Sequence, residues 1–264
     1  MDSISAPVHF ARNQRGYTLV EIMVALLIAV FLLGGLLTVV MDNRRTFTNQ
    51  SAIAQLTDSQ RLAMTIMTNV IQSAGYYPNP TSNTPSTLFL GSPANATSMG
   101  IGQAIWGTGD STAADPGDTL IVRYATVPMN TASDGIILCN GSINPDPAGT
   151  TIPRTYINQF SVNNNNQLVC TLDGVAYPLV NGVLSLKILY GVVRNIPSNG
   201  NSVDTYVDAS NMSPGDWNNV ISVMVTLTFK GVPMQGQSQQ NANARAVPVT
   251  RVIGLMSAGG ITIS

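Results

Sequence analysis

The chain has 264 residues, enough for one medium domain or two small ones. It is 44% hydrophobic and only 9% charged, and its 12 Lys+Arg and 13 Asp+Glu leave a formal net charge of -1, which excludes a nucleic-acid binder that works by broad phosphate neutralisation. One histidine, His9, excludes a Ser-His-Asp triad or a multi-histidine metal site in the body of the chain, and two cysteines cannot hold zinc by themselves.

The first strong element is an apolar run. From Ile22 to Met41 there are 20 residues without a charge. At about 1.5 Å per residue the run spans roughly 30 Å, the thickness of a bilayer's hydrocarbon core. It is apolar all round, which soluble core helices rarely are. A cleaved secretory signal has a shorter apolar stretch, about 7–15 residues, and ends in small residues. Met41-Asp42-Asn43-Arg44-Arg45 is a poor site of that kind. The run is therefore a retained membrane helix. Arg12 and Arg15 on one side and Arg44 and Arg45 on the other tie the positive-inside count, so charge does not orient it.

Twelve of the thirteen acids are aspartate; the one glutamate, Glu21, stands at the mouth of the apolar run. A carboxylate at the edge of a membrane span is costly, and it is a functional candidate for that reason. The plainer reading is an acid in a first helical turn, favoured by the helix dipole and wetted by headgroups. Before it runs Ala11-Arg12-Asn13-Gln14-Arg15-Gly16-Tyr17-Thr18-Leu19-Val20: a short basic leader ending in glycine, then an aromatic and Thr-Leu-Val.

These residues resemble the start of the type IV prepilins, whose short basic leader ends in Gly and whose mature chain has Glu as its fifth residue. Gly16 and Glu21 stand in those places; Tyr17 replaces the usual Phe. The resemblance implies that a prepilin peptidase in the inner membrane cuts between Gly16 and Tyr17 and methylates the new amine of Tyr17. His9, Arg12 and Arg15 would leave with the leader. In a bundle of apolar helices a buried carboxylate needs a cationic partner. The α-amine of Tyr17, in the same or a neighbouring subunit, is the cation at that depth, and pairing it with Glu21 would set the axial register of an incoming subunit. Gly34-Gly35, mid-span, suits either close packing of membrane helices or a segment that unwinds.

The helical pattern continues outside the span. Ile53, Leu56, Ala63, Met67, Val70 and Ala74 recur at three-to-four spacing, with Gln60 filling the gap between Leu56 and Ala63, and Leu62, Ile66 and Ile71 widen the stripe. Gly75 ends the helix. Residues 76–118 form a Pro-, Ser- and Asn-rich connection with one short strand at Leu88–Leu90. Strands are expected at Thr119–Val127, Gly135–Cys139, Gln167–Leu172, Val183–Val193, Val220–Lys230 and Ala246–Leu255. Turns are expected at Asn163–Asn166 and Asp173-Gly174, and Gln235–Ala244 is a polar loop. The fold class is α+β, with the amphipathic half of a long helix covering one face of an antiparallel sheet. Cys139 and Cys170 sit in expected strands; outside the cytoplasm a disulfide is the default, and two buried free thiols are the alternative. Asp110, Asp115 and Asp118 have oxygens suited to calcium, but their spacing matches no EF-hand loop and the segment is an ordinary turn. Trp106 and Trp217 are core or surface residues rather than a sugar platform, and no metal, cofactor or catalytic constellation is expected.

Arg61 through Tyr76, with the late strand after Asp216-Trp217, resembles the PilW family of minor pilins, which are similar to the pseudopilin J of type II secretion. The resemblance implies a cleaved cytoplasmic leader (1–16), a long helix (17–75, crossing the inner membrane at about 22–41) and a β-rich body outside the cytoplasm (76–264). It further implies a type IV pilin-like fold and a minor pilin that primes assembly and stays near the pilus tip. The partners would be other minor pilins, the major pilin, the prepilin peptidase, the inner-membrane assembly platform and, before assembly, membrane lipid. No nucleic acid would bind directly. Twitching motility and cell adhesion would belong to the pilus. The alternatives are a type II secretion pseudopilin, a major subunit, or a membrane-anchored periplasmic binding module or hydrolase.

Overall fold

A computed structural model describes residues 16–90, 99–109, 117–128, 134–143, 152–194, 202–232 and 246–256. The chain divides into two compact units, Met1–Ser51 and Ala52–Ser264. One helix, α1 (Leu19–Gln72), runs through both.

In the first unit α1 carries its apolar residues outward: Leu27 is 72% exposed and Phe31 85%. A helix with this surface buries nothing of its own, so its stability requires an apolar surrounding.

In the second unit the same helix becomes one-sided. Ala63, Met64, Met67, Val70 and Ile71 are buried. They recur at helical spacing and face the sheets, and each of the four larger side chains contributes about 1.5–3 kcal/mol by leaving water. The expected stripe is shifted in part. Ile53 and Leu62 are 55% and 50% exposed, and Met64 is buried instead, because the buried face is centred near 63, 67, 70 and 74 and leaves position 62 about 100° to one side. Helix α1 ends at Gln72, followed by a turn in which Gly75 takes φ 75°. The Gly75 amide donates to the Arg123 carbonyl at 2.8 Å, tying the end of the helix to the body.

The body holds two antiparallel sheets rather than the single expected one. The first has the order β1 (Ile105–Thr108), β2 (Thr119–Thr126), β3 (Arg154–Val162), β4 (Gln167–Leu172), β5 (Val175–Asn181). The second has the order β7 (Thr205–Val207), β6 (Val183–Val192), β8 (Val220–Phe229), β9 (Val247–Gly254). Their inner faces and the buried side of α1 share one hydrophobic cluster that includes Leu120, Phe160, Leu186, Ile188, Val223 and Leu227. Asp173 and Gly174, at φ 48° and 89°, form the two-residue turn between β4 and β5. The chain crosses from one sheet to the other at Gly182, whose carbonyl accepts from the Lys230 amide at 2.8 Å.

Two expected strands are corrected. Leu88–Leu90 is not a strand: Pro85–Leu88 forms one helical turn, α2, opened by Thr84 and by proline, which suits a first helical position. Gly135–Cys139 is a loop with a single bridge from Ile137 to Ile143, because Gly141 turns the chain at φ 84° before a ladder can extend. β1, β3, β5 and β7 are strands the sequence pattern did not yield. The polar loop 235–244 lies outside the described residues.

Candidate functional site

At the amino-terminal end, Gly16, Tyr17 and Thr18 are non-helical and exposed, and α1 begins at Leu19. Thr18 caps the helix. Its carbonyl accepts from the amides of Glu21 and Ile22 at 3.1 and 3.3 Å, and its Oγ1 accepts from the Glu21 amide at 3.4 Å. Thr18 and Glu21 thus stand at the N-cap and third positions, the spacing of a capping box. Glu21 lies in the first turn, where the unpaired amides favour an acid. Tyr17, Glu21, Ala25 and Ala29 line one shallow groove along this end of the helix. The Gly16–Tyr17 bond therefore lies in open backbone directly ahead of the cap, and a Cβ at Gly16 would meet nothing within 4 Å. Residues 1–15 are outside the described part.

Beyond Glu21 the helix is long and apolar enough to cross a membrane. Within it Gly34 and Gly35 are helical, and the Thr38 hydroxyl donates to the Gly35 carbonyl at 2.7 Å.

In the body, Cys139 and Cys170 form a disulfide with their Cα atoms 6.2 Å apart. It joins the 134–143 loop to β4, next to Asn158 of β3. Asn158 Oδ1 accepts from the Cys139 amide at 3.2 Å and from the Tyr124 hydroxyl at 3.4 Å. Burial raises the pKa of the Tyr124 phenol. Cys170 lies in the strand where it was expected; Cys139 lies in the loop.

The other polar residues inside the body hold its parts together. Arg123, 3% exposed, points away from α1 on the outer face of β2. Its guanidinium donates to the carbonyls of Leu90 at 2.6 Å and Gly100 at 2.9 Å, and to that of Gln103 through Nε at 2.9 Å and through Nη2. It also sits over the Phe89 ring at 5.5 Å. Burial lowers its pKa to about 10. Asp118 is not poised for a metal: its Oδ2 accepts from the Ile188 amide at 2.7 Å and Oδ1 lies 3.5 Å from Lys187 Nζ, so it joins the two sheets. Asp110 and Asp115 lie outside the described residues. Asp216 takes a two-pronged pair from Arg194, at 3.2 and 2.7 Å, and the Ser213 amide at 3.0 Å. The Arg194 hydrogen bonds, then that amide, hold its carboxyl well below the usual carboxylate range. This fixes the short turn bearing Trp217, which packs 4.9 Å from Tyr190 and 6.1 Å from Trp106. None of these residues forms a nucleophile–base pair.

Sequence reasoning placed Gly16, Tyr17 and Glu21 together but missed the cap; Thr-x-x-Glu was its signal. It also passed over Arg123, for which a lone charge inside Thr119–Val127 was the signal.

Residues 11–37 match the prokaryotic N-terminal methylation motif. Residues 153–253, from β3 through most of β9, match the family model of the type IV pilus-assembly protein W, PilW. Together the two matches are those of a type IV minor pilin of the PilW family. Both matched families are structural pilus components. Its methylation motif and apolar helix mark membrane anchoring in a pilus system, and its β-rich body carries the PilW match. No curated protein matches the chain.

Proposed function

We propose that this pilin is cleaved between Gly16 and Tyr17, methylated on Tyr17, and held in the inner membrane by residues 22–41 until it joins other minor pilins. That complex primes polymerisation of the major pilin on the inner-membrane platform and stays near the tip. The protein performs no chemistry of its own. Residues 17–75 dock and residues 76–264 present the partner-binding surface. The observation that carries the reading is the exposed, non-helical Gly16–Tyr17 bond one turn ahead of the chain's only glutamate and an unsheathed apolar helix.

Cleavage gives the reading its electrostatic logic. It frees an ammonium at Tyr17, four residues before Glu21, and a carboxylate in apolar surroundings is stable only when so neutralised. Pairing across subunits fixes how far one helix slides along the next. Mass spectrometry of the amino terminus, from cells with and without the leader peptidase, tests it. A methylated Tyr17 that depends on that enzyme is expected; a chain that still begins at Met1 overturns the proposal. Glu21→Ala is expected to insert and be cleaved but to enter sheared pili poorly, and normal incorporation would remove its register role.

A further inference from the structure

Just past the apolar run, α1 changes chemistry within one turn. Asp42, Arg44, Arg45 and Phe47 follow Met41, and all four are exposed. Arg44 is three residues beyond the last apolar residue of the span, roughly 4–5 Å along the axis, which is headgroup depth if the span fills the hydrocarbon core. Asp42 does not neutralise both arginines. It pairs with Arg45 at 3.7 Å, one turn on. Arg44, two residues from Asp42, points to a different side of the helix. On that side its neighbours are Val40, Met41 and Phe47, which are 42%, 55% and 74% exposed. The Thr46 and Thr48 hydroxyls donate to the carbonyls of Asp42 and Arg44, each at 2.9 Å, and so are satisfied within the helix. The next basic residue, Arg61, is 17 positions further on in the sequence.

We infer that Arg44, assisted by Arg45, binds the phosphate of anionic phospholipid headgroups at the outer end of the span, with Phe47 set beside it in the interface. The inference rests on the reading of residues 22–41 as a membrane helix. Two observations choose the occupant. The guanidinium fork matches two phosphate oxygens, and a positive segment meets a negative lipid surface. The site is also continuous with the apolar surface that lipid would cover. Residues 42–45 keep a net charge of +1 after Asp42 is counted. Asp42 therefore weakens the attraction and keeps the helix releasable when the pilin leaves the membrane.

The test uses the full chain in neutral detergent micelles, titrated with phosphatidylglycerol or phosphatidylcholine, with bound lipid counted by native mass spectrometry. The wild type is expected to prefer phosphatidylglycerol. Arg44→Gln should lower that affinity about fivefold, the equivalent of about 1 kcal/mol per basic residue at an anionic surface. Asp42→Asn should raise it, and Arg61→Gln should leave it unchanged. Unaltered phosphatidylglycerol binding by Arg44→Gln overturns the inference, as does displacement of the lipid by equimolar inorganic phosphate, which would make this a small-anion site. Carbonate washing of membranes separates the two claims. Release of the chain by carbonate refutes the membrane reading itself. Retention, combined with lipid binding indifferent to Arg44→Gln, refutes only the headgroup contact.

Discussion

Replacing Arg123 with methionine gives the sharpest test of how the body is held together. Methionine roughly keeps the volume and the contact with Phe89 but removes every donor. The guanidinium serves three carbonyls, those of Leu90, Gly100 and Gln103, and Gln103 is itself only 7% exposed. Hydrogen bonds to a charged group are worth about 1.5–3 kcal/mol each, and a buried acceptor left unpaired costs about 1–3 kcal/mol. Against this stands relief from burying a cation among carbonyls, seen in the lowering of its pKa to about 10. The net expected loss is about 3 kcal/mol, read as a lower denaturant midpoint in chemical unfolding of the full chain in micelles. The loss should also be local. Gly102 donates to the Phe89 carbonyl at 2.8 Å, and this bond closes the segment that Arg123 grips. Hydrogen exchange at Gly102 should therefore accelerate at least tenfold while β8 amides keep their protection relative to global stability. Arg123→Lys should recover only part of the loss, since one ammonium cannot reach three carbonyls spread along a fork. An Arg123→Met protein with unchanged stability and unchanged Gly102 exchange would refute the reasoning.

The other predictions concern the linkages of the body and its acid sensitivity. The Cys139–Cys170 disulfide has a sequence separation of 31; changing both cysteines to alanine should cost about 3–4 kcal/mol by the chain-entropy argument, measured as a lower thermal midpoint, and a loss below about 1 kcal/mol would contradict it. Gly117 has φ 100°, and a Cβ there would lie 2.2 Å from the Leu186 carbonyl oxygen, so Gly117→Ala should separate the sheets at that bridge and destabilise the body by more than about 2 kcal/mol in chemical unfolding. Asp216 has a folded pKa below its unfolded value, so its contribution is fully present above about pH 4 and is lost as pH falls below that. Trp217 fluorescence should follow this loss, and Asp216→Asn should flatten the acid limb of the stability profile; an unchanged limb counts against the Arg194 pair as its source.

What the amino-acid sequence determined by itself is the local order of the amino-terminal region. Gly16, Tyr17, Glu21 and the apolar run are neighbours along one chain, and a helix turns sequence spacing directly into spatial spacing. The methylation-motif match covers residues 11–37, and α1 begins at Leu19. The amphipathic stripe that buries Met67 and Val70, the strands with clean alternation such as β8, and the Asp173-Gly174 turn were legible for the same reason, since their signals are local.

The tertiary structure decided the rest. β3 escaped notice because Asn158 occupies one of its inward positions, between Tyr156 and Phe160, and only the Cys139 amide and the Tyr124 hydroxyl, brought in from elsewhere in the chain, explain a buried amide there. β5 contains Pro178, which cannot donate to a ladder and is tolerated because β5 is the edge of its sheet. The division into two sheets turns on Gly182 and on the approach of Gly117 to Leu186, contacts whose partners lie tens of residues apart in sequence. Arg123 is a lone charge in a strand buried on both faces, and nothing nearby in sequence says that this charge would be spent on three distant carbonyls. Periodicity reports which face of an element is apolar; which other element covers that face is a long-range choice, made by shape and by the pairing of buried polar groups.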